Sequence, residues 1–470
     1  MLTAKTILGA GWSVSSRLAS RAIDFATLLI LARTLGPTDF GLTAIAMTLI
    51  AITDTVLEIP LAQALTRLRQ ISKLHLDTAF TLGAMRACLL GGFILAAAWP
   101  FSIIYSDERL AALVAVLAMG PMARGVYSPA MVNFYKQLDF KKYFLADFSG
   151  KILAASLAIA VLYLGGGYWA IAVSSVASSV IPTMFSYVLA PYRPAFSLAK
   201  LPEFSKFIGW FTSAQIVAAI NWQLDRVVLG RYVSKAELGQ YTMASDLAVL
   251  PTQSLIGPAM QPVMAAFSKI NDNLDRLKGA YLKASHYTML LAMPICAGIS
   301  STSDMIVDLI LGSKWDNAAF YLRWIAFPIA LTAYFQPLYS LALAINRPNV
   351  IFQVNFADLS VRILLISLGF YFFSFEGVIV ARGIAALVIF ALTLASAESL
   401  IGISVLSQLR NLSKVFLACF AMTLSVTALR YNLDQFDVHV AIRLALTAAF
   451  GGGVYFGTLF VLGSRFRALG

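Results

Sequence analysis

Long apolar runs alternate with short polar segments along the whole chain. A helix needs about 20 predominantly apolar residues to cross a membrane, whereas a strand or a short core helix needs fewer. Segments such as Gly36-Pro37 and Gly165-Gly166-Gly167 separate the runs. The pattern predicts an all-α polytopic membrane protein with about 14 transmembrane helices. These predicted spans, numbered 1 to 14 in chain order, cover residues 10–32, 38–62, 78–100, 110–134, 147–165, 168–190, 206–230, 237–263, 280–302, 317–345, 350–373, 377–400, 412–430 and 439–463.

The composition agrees with a surface that faces lipid. Hydrophobic residues occupy 59% of 470 positions, charged residues only 12%, and the mean hydropathy is +0.79. A soluble domain carries about 25% charged residues. In a soluble protein the net charge of +12 would favour nucleic-acid binding. Here the basic residues lie mostly in short loops between apolar runs, as membrane topology requires, so we expect no nucleic-acid partner.

Loops rich in basic residues alternate with loops that carry few. Lys141 and Lys142, for example, lie between spans 4 and 5, whereas the loop between spans 3 and 4 carries Asp107 and Glu108. The positive-inside rule then predicts that both termini are cytoplasmic, in agreement with an even number of spans. The outer loops are too short for a globular catalytic domain, which argues against an enzyme.

The two halves of the chain resemble each other at an offset of 198 residues. LARTLGPTDFGLTAIA (31–46) aligns with LGRYVSKAELGQYTMA (229–244), so that Gly41 matches Gly239. Six spans in each repeat would cross in the same direction, related by an axis along the membrane normal, as in some secondary transporters. The repeat predicts two related six-helix lobes and two additional transmembrane helices, with boundaries at 1–200, 201–402 and 403–470. The alternative is that the match reflects only the shared composition of lipid-facing helices.

Three stretches carry a resemblance to a known family. LARTLGPTDFGLTAIA follows a first span with Arg and Asp. NWQLDRVVLGRYVSKAELGQYTMASDLAVLP (221–251) covers spans 7 and 8, and FYKQLDFKKYFLADFSGK (134–151) covers the basic hairpin between spans 4 and 5. They resemble the polysaccharide-transport flippases of the multidrug/oligosaccharidyl-lipid/polysaccharide (MOP) exporter superfamily.

This resemblance implies two six-helix lobes around a central cavity that opens alternately to either side. The implied cargo is an oligosaccharide joined by pyrophosphate to a polyprenyl carrier, in the inner membrane of a bacterium. Further implied partners are membrane lipid and the polysaccharide polymerase and export machinery. The motifs indicate the architecture and do not identify the sugar.

Charged residues inside the predicted spans are candidates for the site, because a charge within the bilayer is costly and usually faces a bundle interior or water. In span 1, Arg17, Arg21 and Asp24 fall at i, i+4 and i+7, on one face of a helix. We predict that they line a cavity. The alternative interpretation is that Arg21 and Asp24 neutralise each other and hold span 1 to its neighbours.

Spans 7 and 8 carry the candidates on the other side of the repeat. The resemblance implies that Asp225-Arg226 faces the cavity opposite span 1, although the two residues also fit a structural ion pair. Trp222 is a candidate for stacking on a sugar. Asp246 in span 8 is the candidate ion-coupling residue, because a buried carboxyl group tends to hold a proton. Packing against an arginine of another helix is the alternative for Asp246.

Further arginines are candidates, among them Arg323 and Arg382, which lie near mid-span and suit either a phosphate or a buried carboxylate. Arg362 follows Asp358 by four residues in span 11, an order that favours a helical ion pair as well as a place in the cavity. Arg124 in span 4 suits either a phosphate or a buried carboxylate, since its forked donors fit both. Arg124 and Arg86 are also candidate partners for Asp54 of span 2. Trp315 lies near a predicted membrane surface, where interfacial anchoring is expected.

Motifs for nucleotide hydrolysis and metal chemistry are absent from the sequence. It contains no P-loop, no HExxH and no G-x-S-x-G elbow. Cys88, Cys296 and Cys419 lie singly inside apolar runs, so we expect no metal and no cofactor. Energy for transport would then come from an ion gradient, the membrane potential or consumption of the product.

Other functions compete with the oligosaccharide flippase. A membrane polymerase or ligase would need a larger outer loop. A small-molecule antiporter of the same superfamily would favour a carboxylate-rich cavity for organic cations, whereas Arg17, Arg21, Arg124 and Arg226 favour an anionic head group. A peptidoglycan-precursor (lipid II) flippase also has 14 spans and a cationic cavity. It ranks lower because LARTLGPTDFG is more similar to the polysaccharide type.

Overall fold

A computed structural model describes the chain over residues 19–59, 61, 65–66, 70–136, 140–433, 435 and 439–463. Every regular element within these ranges is a helix, which confirms the all-α polytopic fold class. Eight of the described helices are long and apolar enough to cross a membrane. A ninth is the pair Leu274–Ser301 and Ser303–Ile310, bent by 75°, if it forms one span. The number 14 stays a prediction.

The N-terminal compact unit is Met1–Gly239. Within it span 4 is broken into short helices, because Pro121 has no N–H to donate to the carbonyl of Leu117, where the preceding helix ends. Span 1 is helical over residues 19–34. The other helices are Pro37–Val56, Lys73–Ile104, Arg109–Leu117, Met119–Gly125, Val132–Lys136, Phe140–Tyr163, Trp169–Leu189 and Leu201–Tyr232.

The C-terminal compact unit is Gln240–Gly470. Proline interrupts span 10 in the same way, since Pro337 cannot donate to the carbonyl of Ala333. The expected interfacial role of Trp315 is wrong, because its side chain is fully buried in the protein, with 0% exposed. The helices are Lys235–Lys269, which starts in the first unit, Leu274–Ser301, Ser303–Ile310, Asp316–Thr332, Phe335–Ala344, Pro348–Ile401, Val405–Leu433 and Val440–Val461.

The long helix Pro348–Ile401 contains spans 11 and 12, separated by a sharp turn at Phe373 and Ser374. Ser374 has a φ of 53°, in the left-handed region. The two arms pack closely below the turn, where a Cβ on Gly369 would lie 2.4 Å from the carbonyl oxygen of Gly377. Glycine at these positions therefore permits the hairpin.

The compact units divide at Gly239 and Gln240, beyond the boundary at 200 that the repeat predicts. The boundary between compact units and the boundary between repeats need not coincide, because the first turn of span 8 packs closely on span 2. The predicted division into 1–200, 201–402 and 403–470 stays a prediction.

The starts of spans 2 and 8 meet at two glycines that the repeat aligns. A Cβ on Gly41 would lie 1.7 Å from the carbonyl oxygen of Lys235, and a Cβ on Gly239 would lie 1.9 Å from that of Pro37. No side chain fits at either position. Pro37 and Lys235 are themselves 198 residues apart. The contact is therefore reciprocal, which agrees with the predicted repeat.

The same two helices begin with equivalent caps. The Asp39 carboxylate accepts a hydrogen bond from the backbone N–H of Gly36 at 3.4 Å. The Glu237 carboxylate accepts one from the backbone N–H of Ser234 at 3.2 Å. An acidic residue at the third helical position satisfies a free N–H and complements the helix dipole. The aligned residues Asp39 and Glu237 therefore both cap the N-terminus of their helix.

An ion-pair cluster fixes the turn between spans 3 and 4 to the start of span 8. The Asp107 Oδ2 atom lies 2.7 Å from Arg109 Nη2 and 2.5 Å from Lys235 Nζ, and its side chain is only 7% exposed. Hydrogen bonds from Arg109, aided by Lys235, hold the pKa of Asp107 well below its usual range. The carboxylate therefore stays charged in moderately acidic solution, and the contact persists there.

We expect Gly41→Ala to destabilise the protein by about 3 kcal/mol, because its methyl group would overlap backbone atoms that cannot move aside without separating the helices. Gly92→Ala is the matched control. A Cβ at this helical position meets no atom within 4 Å, so this change should be neutral or stabilising by about 1 kcal/mol. The thermal midpoint of the detergent-purified variants measures the difference. Equal midpoints would contradict the contact.

Candidate functional site

A cavity of about 220 Å³ with a mixed apolar and polar lining lies in the N-terminal unit, among the helices of predicted spans 1, 2, 5 and 6. Its charged residues are Asp24 and Lys151, whose carboxylate and ammonium form an ion pair. Ser174, Ser175 and Ser178 add hydroxyl groups to one wall. The Asp24 side chain is 47% exposed, so the pair lies at the open part of the cavity.

Spans 1 and 5 face each other through two polar contacts, one helical turn apart. Ser20 and Asp24 lie at i and i+4 on span 1, as do Asp147 and Lys151 on span 5. The Ser20 hydroxyl donates to the Asp147 carboxylate, and Lys151 pairs with Asp24. Residues at this spacing share one helix face. The two helices are therefore fixed in register along a polar seam.

A second polar cluster in the same unit centres on Asp54 of span 2. One carboxylate oxygen pairs with Arg86, and the other lies 2.7 Å from Arg124 Nη2. Arg124 Nη1 also donates to the Ser179 hydroxyl at 2.7 Å. Arg86 is mostly buried, whereas Arg124 is 48% exposed. One carboxylate is thus shared by two guanidiniums, and the more exposed one has surface available to other groups.

Arg86 also caps the end of span 2. Its guanidinium donates to the carbonyl oxygens of Leu57 at 2.7 Å and Asp54 at 2.9 Å, next to the helix end at Val56. The last carbonyls of a helix lack intrahelical partners and carry partial negative charge. Arg86 therefore has a structural role, which leaves Arg124 as the member of this cluster suited to a ligand.

The two clusters are joined by the run Ser174-Ser175-Val176-Ala177-Ser178-Ser179 on span 6. Its serines at 174, 175 and 178 line the cavity with Asp24 and Lys151, and Ser179 binds Arg124. The hydroxyl groups of this one helix therefore extend from the neighbourhood of Lys151 to Arg124. A ligand with several acceptor oxygens would find donors along this face.

The sequence-predicted residues of span 1 have different outcomes. Arg17 lies outside the described residues. Arg21 is exposed, and Asp24 lines the cavity, paired with Lys151 of span 5. The Asp24 carboxylate binds Lys151 of a neighbouring span, a contact that fits both a cavity lining and the alternative interpretation in which Asp24 holds span 1 to its neighbours. The roles of Arg21 and Asp24 in substrate binding stay predictions.

In spans 7 and 8, exposure differs strongly between neighbouring candidates. Trp222 is 53% exposed, whereas Asp225 is buried at 5% and Arg226 is partly buried. The Asp246 side chain is exposed. Their proposed roles in stacking, cargo binding and ion coupling stay predictions.

The candidates of span 11 form a local ion pair. Arg362 Nε lies 2.9 Å from Asp358 Oδ1, four residues earlier, and both side chains are largely buried. This geometry agrees with the helical pair that the spacing favours. In the same unit, Arg382 of span 12 donates to the Tyr241 hydroxyl at 2.7 Å and lies over that ring at 5.7 Å.

Sequence reasoning missed Lys151, Asp147 and the serines of span 6 as candidates. Lys151 lies at the end of the stretch that carries the family resemblance, and its i, i+4 spacing from Asp147 matches that of Ser20 and Asp24. That shared spacing is a usable signal. It becomes decisive only once spans 1 and 5 are known to be neighbours.

Comparison with known proteins agrees with this architecture. The model of a family described as "Polysaccharide biosynthesis protein" matches residues 30–320, which is well over half of the chain. The chain belongs to this family. The expected membership in the polysaccharide-transport branch of the MOP superfamily is confirmed, and the chain is a multi-pass membrane transporter rather than an enzyme.

Two curated relatives are similar to this chain in sequence, and one solved structure is similar to it in fold. Lipopolysaccharide biosynthesis protein WzxC of Escherichia coli (strain K12) is 26% identical over 75% of this chain and 73% of its own. Teichuronic acid biosynthesis protein TuaB of Bacillus subtilis (strain 168) is 22% identical over 97% and 95%. The lipid II flippase MurJ in an inward closed conformation shares the fold, with a TM-score of 0.76 at 13% identity over 97% and 99%.

We expect Asp54→Asn to destabilise this family member more than Arg124→Gln. Asparagine would leave two guanidiniums without their shared counter-charge, whereas glutamine at position 124 leaves Asp54 paired with Arg86. Losing one partner of a buried pair costs about 3–5 kcal/mol, and a part-exposed pair costs less. Thermal midpoints in detergent measure both variants. Asp308→Asn, at an exposed carboxylate, is the control, and a wild-type midpoint for Asp54→Asn would refute the shared-charge account.

Proposed function

We propose that this protein is a flippase that moves polyprenyl-pyrophosphate-linked oligosaccharide across the bacterial inner membrane by alternating access, for exopolysaccharide, capsule or O-antigen assembly. Membership in a polysaccharide biosynthesis family supports this proposal. So do relatives whose names refer to lipopolysaccharide and teichuronic acid biosynthesis.

The observation that carries the proposal is the Asp54 cluster of the N-terminal unit, in which two guanidiniums share one carboxylate. Arg86 and Arg124 stand against Asp54, two positive charges against one. A pyrophosphate-sugar head group cannot cross about 30 Å of hydrocarbon unaided, whereas a polyprenyl tail is soluble there.

Each group in these clusters suits one part of that head group. Lys151 and Arg124 supply positive charge, and arginine binds phosphate oxygens through two parallel hydrogen bonds. The serines of span 6 supply donors and acceptors for sugar hydroxyls. An organic cation would be repelled by the excess positive charge of the Asp54 cluster. An anionic ligand would replace the Asp24 carboxylate as the partner of Lys151.

We expect Lys151→Gln to reduce polymer export by about tenfold, because it removes a charge-assisted bond worth about 1.5–3 kcal/mol to the pyrophosphate. Lys151→Arg should retain most of the export, since it keeps the charge. The measurement is the secreted polymer of a deletion strain that carries each variant, normalised to the amount of protein in the membrane fraction.

Lys283→Gln is the matched control, because Lys283 is exposed and lies in the C-terminal unit, outside both clusters. Purified protein in vesicles then identifies the cargo. Flipping of a fluorescent lipid-linked oligosaccharide supports the proposal, flipping of lipid II alone would replace it with the peptidoglycan alternative, and efflux of organic cations alone would replace it with the antiporter. Normal export by Lys151→Gln would remove this cavity from the transport path.

We further propose that both termini are cytoplasmic and that polymerase and export proteins act on the flipped product. The test introduces cysteine at Lys142 or at Glu108, which lie on opposite predicted sides of the membrane, in a variant with Cys88, Cys296 and Cys419 replaced by alanine. A membrane-impermeant maleimide should label Glu108→Cys in intact spheroplasts and Lys142→Cys only after lysis. The reverse pattern would invert the orientation.

A further inference from the structure

The C-terminal unit contains a groove that the transport proposal does not use. It encloses a cavity of about 1140 Å³ between the helices of predicted spans 9, 10, 12 and 13. Aromatic side chains dominate its walls, among them Phe320, Trp324, Phe327, Phe416 and Phe420. Trp324 and Phe420 are 57% and 70% exposed. Exposed apolar side chains are ordinary on a membrane-spanning protein, so it is the concave shape of this groove that suits it to hold a single apolar molecule.

The groove is amphipathic along its length. Its polar lining residues Ser300, Arg323, Glu376 and Thr423 lie toward one end, where Leu274–Ser301 and Val405–Leu433 end and Asp316–Thr332 begins. Its lining toward the opposite end is apolar and includes Leu387. A molecule that fits this groove has a polar head and an apolar body.

The length of the groove corresponds to one leaflet of a bilayer. Glu376 and Leu387 mark its two ends on span 12, and eleven residues of helix rise about 16 Å. The hydrocarbon core of a bilayer is about 30 Å thick. The acyl chains of a phospholipid occupy half of that thickness, so the groove matches a lipid from a single leaflet.

The polar end offers one charge of each sign. Arg323 is 49% exposed, and its Nη2 lies 3.9 Å from Asp304, whose other oxygen lies 2.5 Å from Arg430. Asp304 is thus held more closely by Arg430, so the guanidinium of Arg323 retains donors for a phosphate. The Glu376 carboxylate is exposed in the same lining and suits a cation.

We propose that this groove binds a zwitterionic phospholipid with a primary amine, of the phosphatidylethanolamine class. Arg323 binds its phosphate, Glu376 accepts hydrogen bonds from its ammonium group, and the aromatic walls hold its acyl chains. Phosphatidylcholine carries the same charges but its quaternary ammonium has no N–H to donate. Phosphatidylglycerol lacks the cation. The site therefore predicts a preference among lipids that bulk hydrophobic contact would not produce.

The test is native mass spectrometry of the full-length protein, exchanged into micelles that contain equal amounts of phosphatidylethanolamine, phosphatidylcholine and phosphatidylglycerol. We expect the wild type to retain phosphatidylethanolamine in preference to both others. Arg323→Gln should lower its retention by about tenfold, the value of one charge-assisted hydrogen bond. Glu376→Gln should abolish the preference over phosphatidylcholine while retention of phosphatidylcholine itself persists.

A groove-filling variant separates this site from the rest of the lipid-facing surface. Gly383 lines the groove, and its added Cβ would meet nothing closer than Pro328 at 4.0 Å, so Gly383→Phe should fold and displace the lipid. Gly452→Phe, at an open position on span 14, is the matched control and should retain it. Equal retention of the three lipids by the wild type, or unchanged retention in Arg323→Gln and Gly383→Phe, would overturn the proposal. Preferential retention of added polyprenyl phosphate would overturn it in favour of a carrier-lipid site.

Discussion

An ionised side chain within hydrocarbon costs several kcal/mol unless a partner neutralises it. That constraint explains how the helices of the N-terminal unit are held together. Asp54 binds Arg86 and Arg124 from two other spans, and Asp24 binds Lys151 from a third. Each pair costs less than its members would alone. The pairs therefore serve as structural contacts between spans.

The predicted repeat would give both halves of the chain one scaffold with two different linings. At the offset of 198, Asp24 aligns with Trp222, and both side chains are about half exposed. Thr27 aligns with Asp225, and both are buried, at 7% and 5%. Burial is thus retained at each position while the chemistry changes. Burial does not follow the alignment everywhere, because the exposed Arg21 aligns with the buried Ala219.

The residue pattern predicted the parts of the structure that depend on local sequence. Helical spans follow from the length of apolar runs. Arg86 and Arg124 are candidate partners of Asp54 because a charge within a span needs a partner, but only the packing of the helices shows that both share its carboxylate. The partnership of Asp24 with Lys151 could not be predicted, because 127 residues separate the two and only the packing of span 1 on span 5 brings them together. Trp315 was misplaced for a related reason. Position near a predicted membrane surface does not reveal whether a neighbouring segment covers the ring.

The shared carboxylate of Asp54 has a consequence for how a head group would be held. With two guanidiniums and one carboxylate, the cluster carries one positive charge in excess, and Arg124 is its more exposed member. A phosphate that approaches Arg124 competes with Asp54 for the same donors, but Asp54 keeps Arg86 when Arg124 turns away. The exchange leaves no ion unpaired, so neither binding nor release requires an isolated charge within the bilayer. A transporter must release its cargo as well as bind it. A cation that alternates between two anionic partners allows both binding and release at lower cost than a cation that has no partner when the cargo is absent.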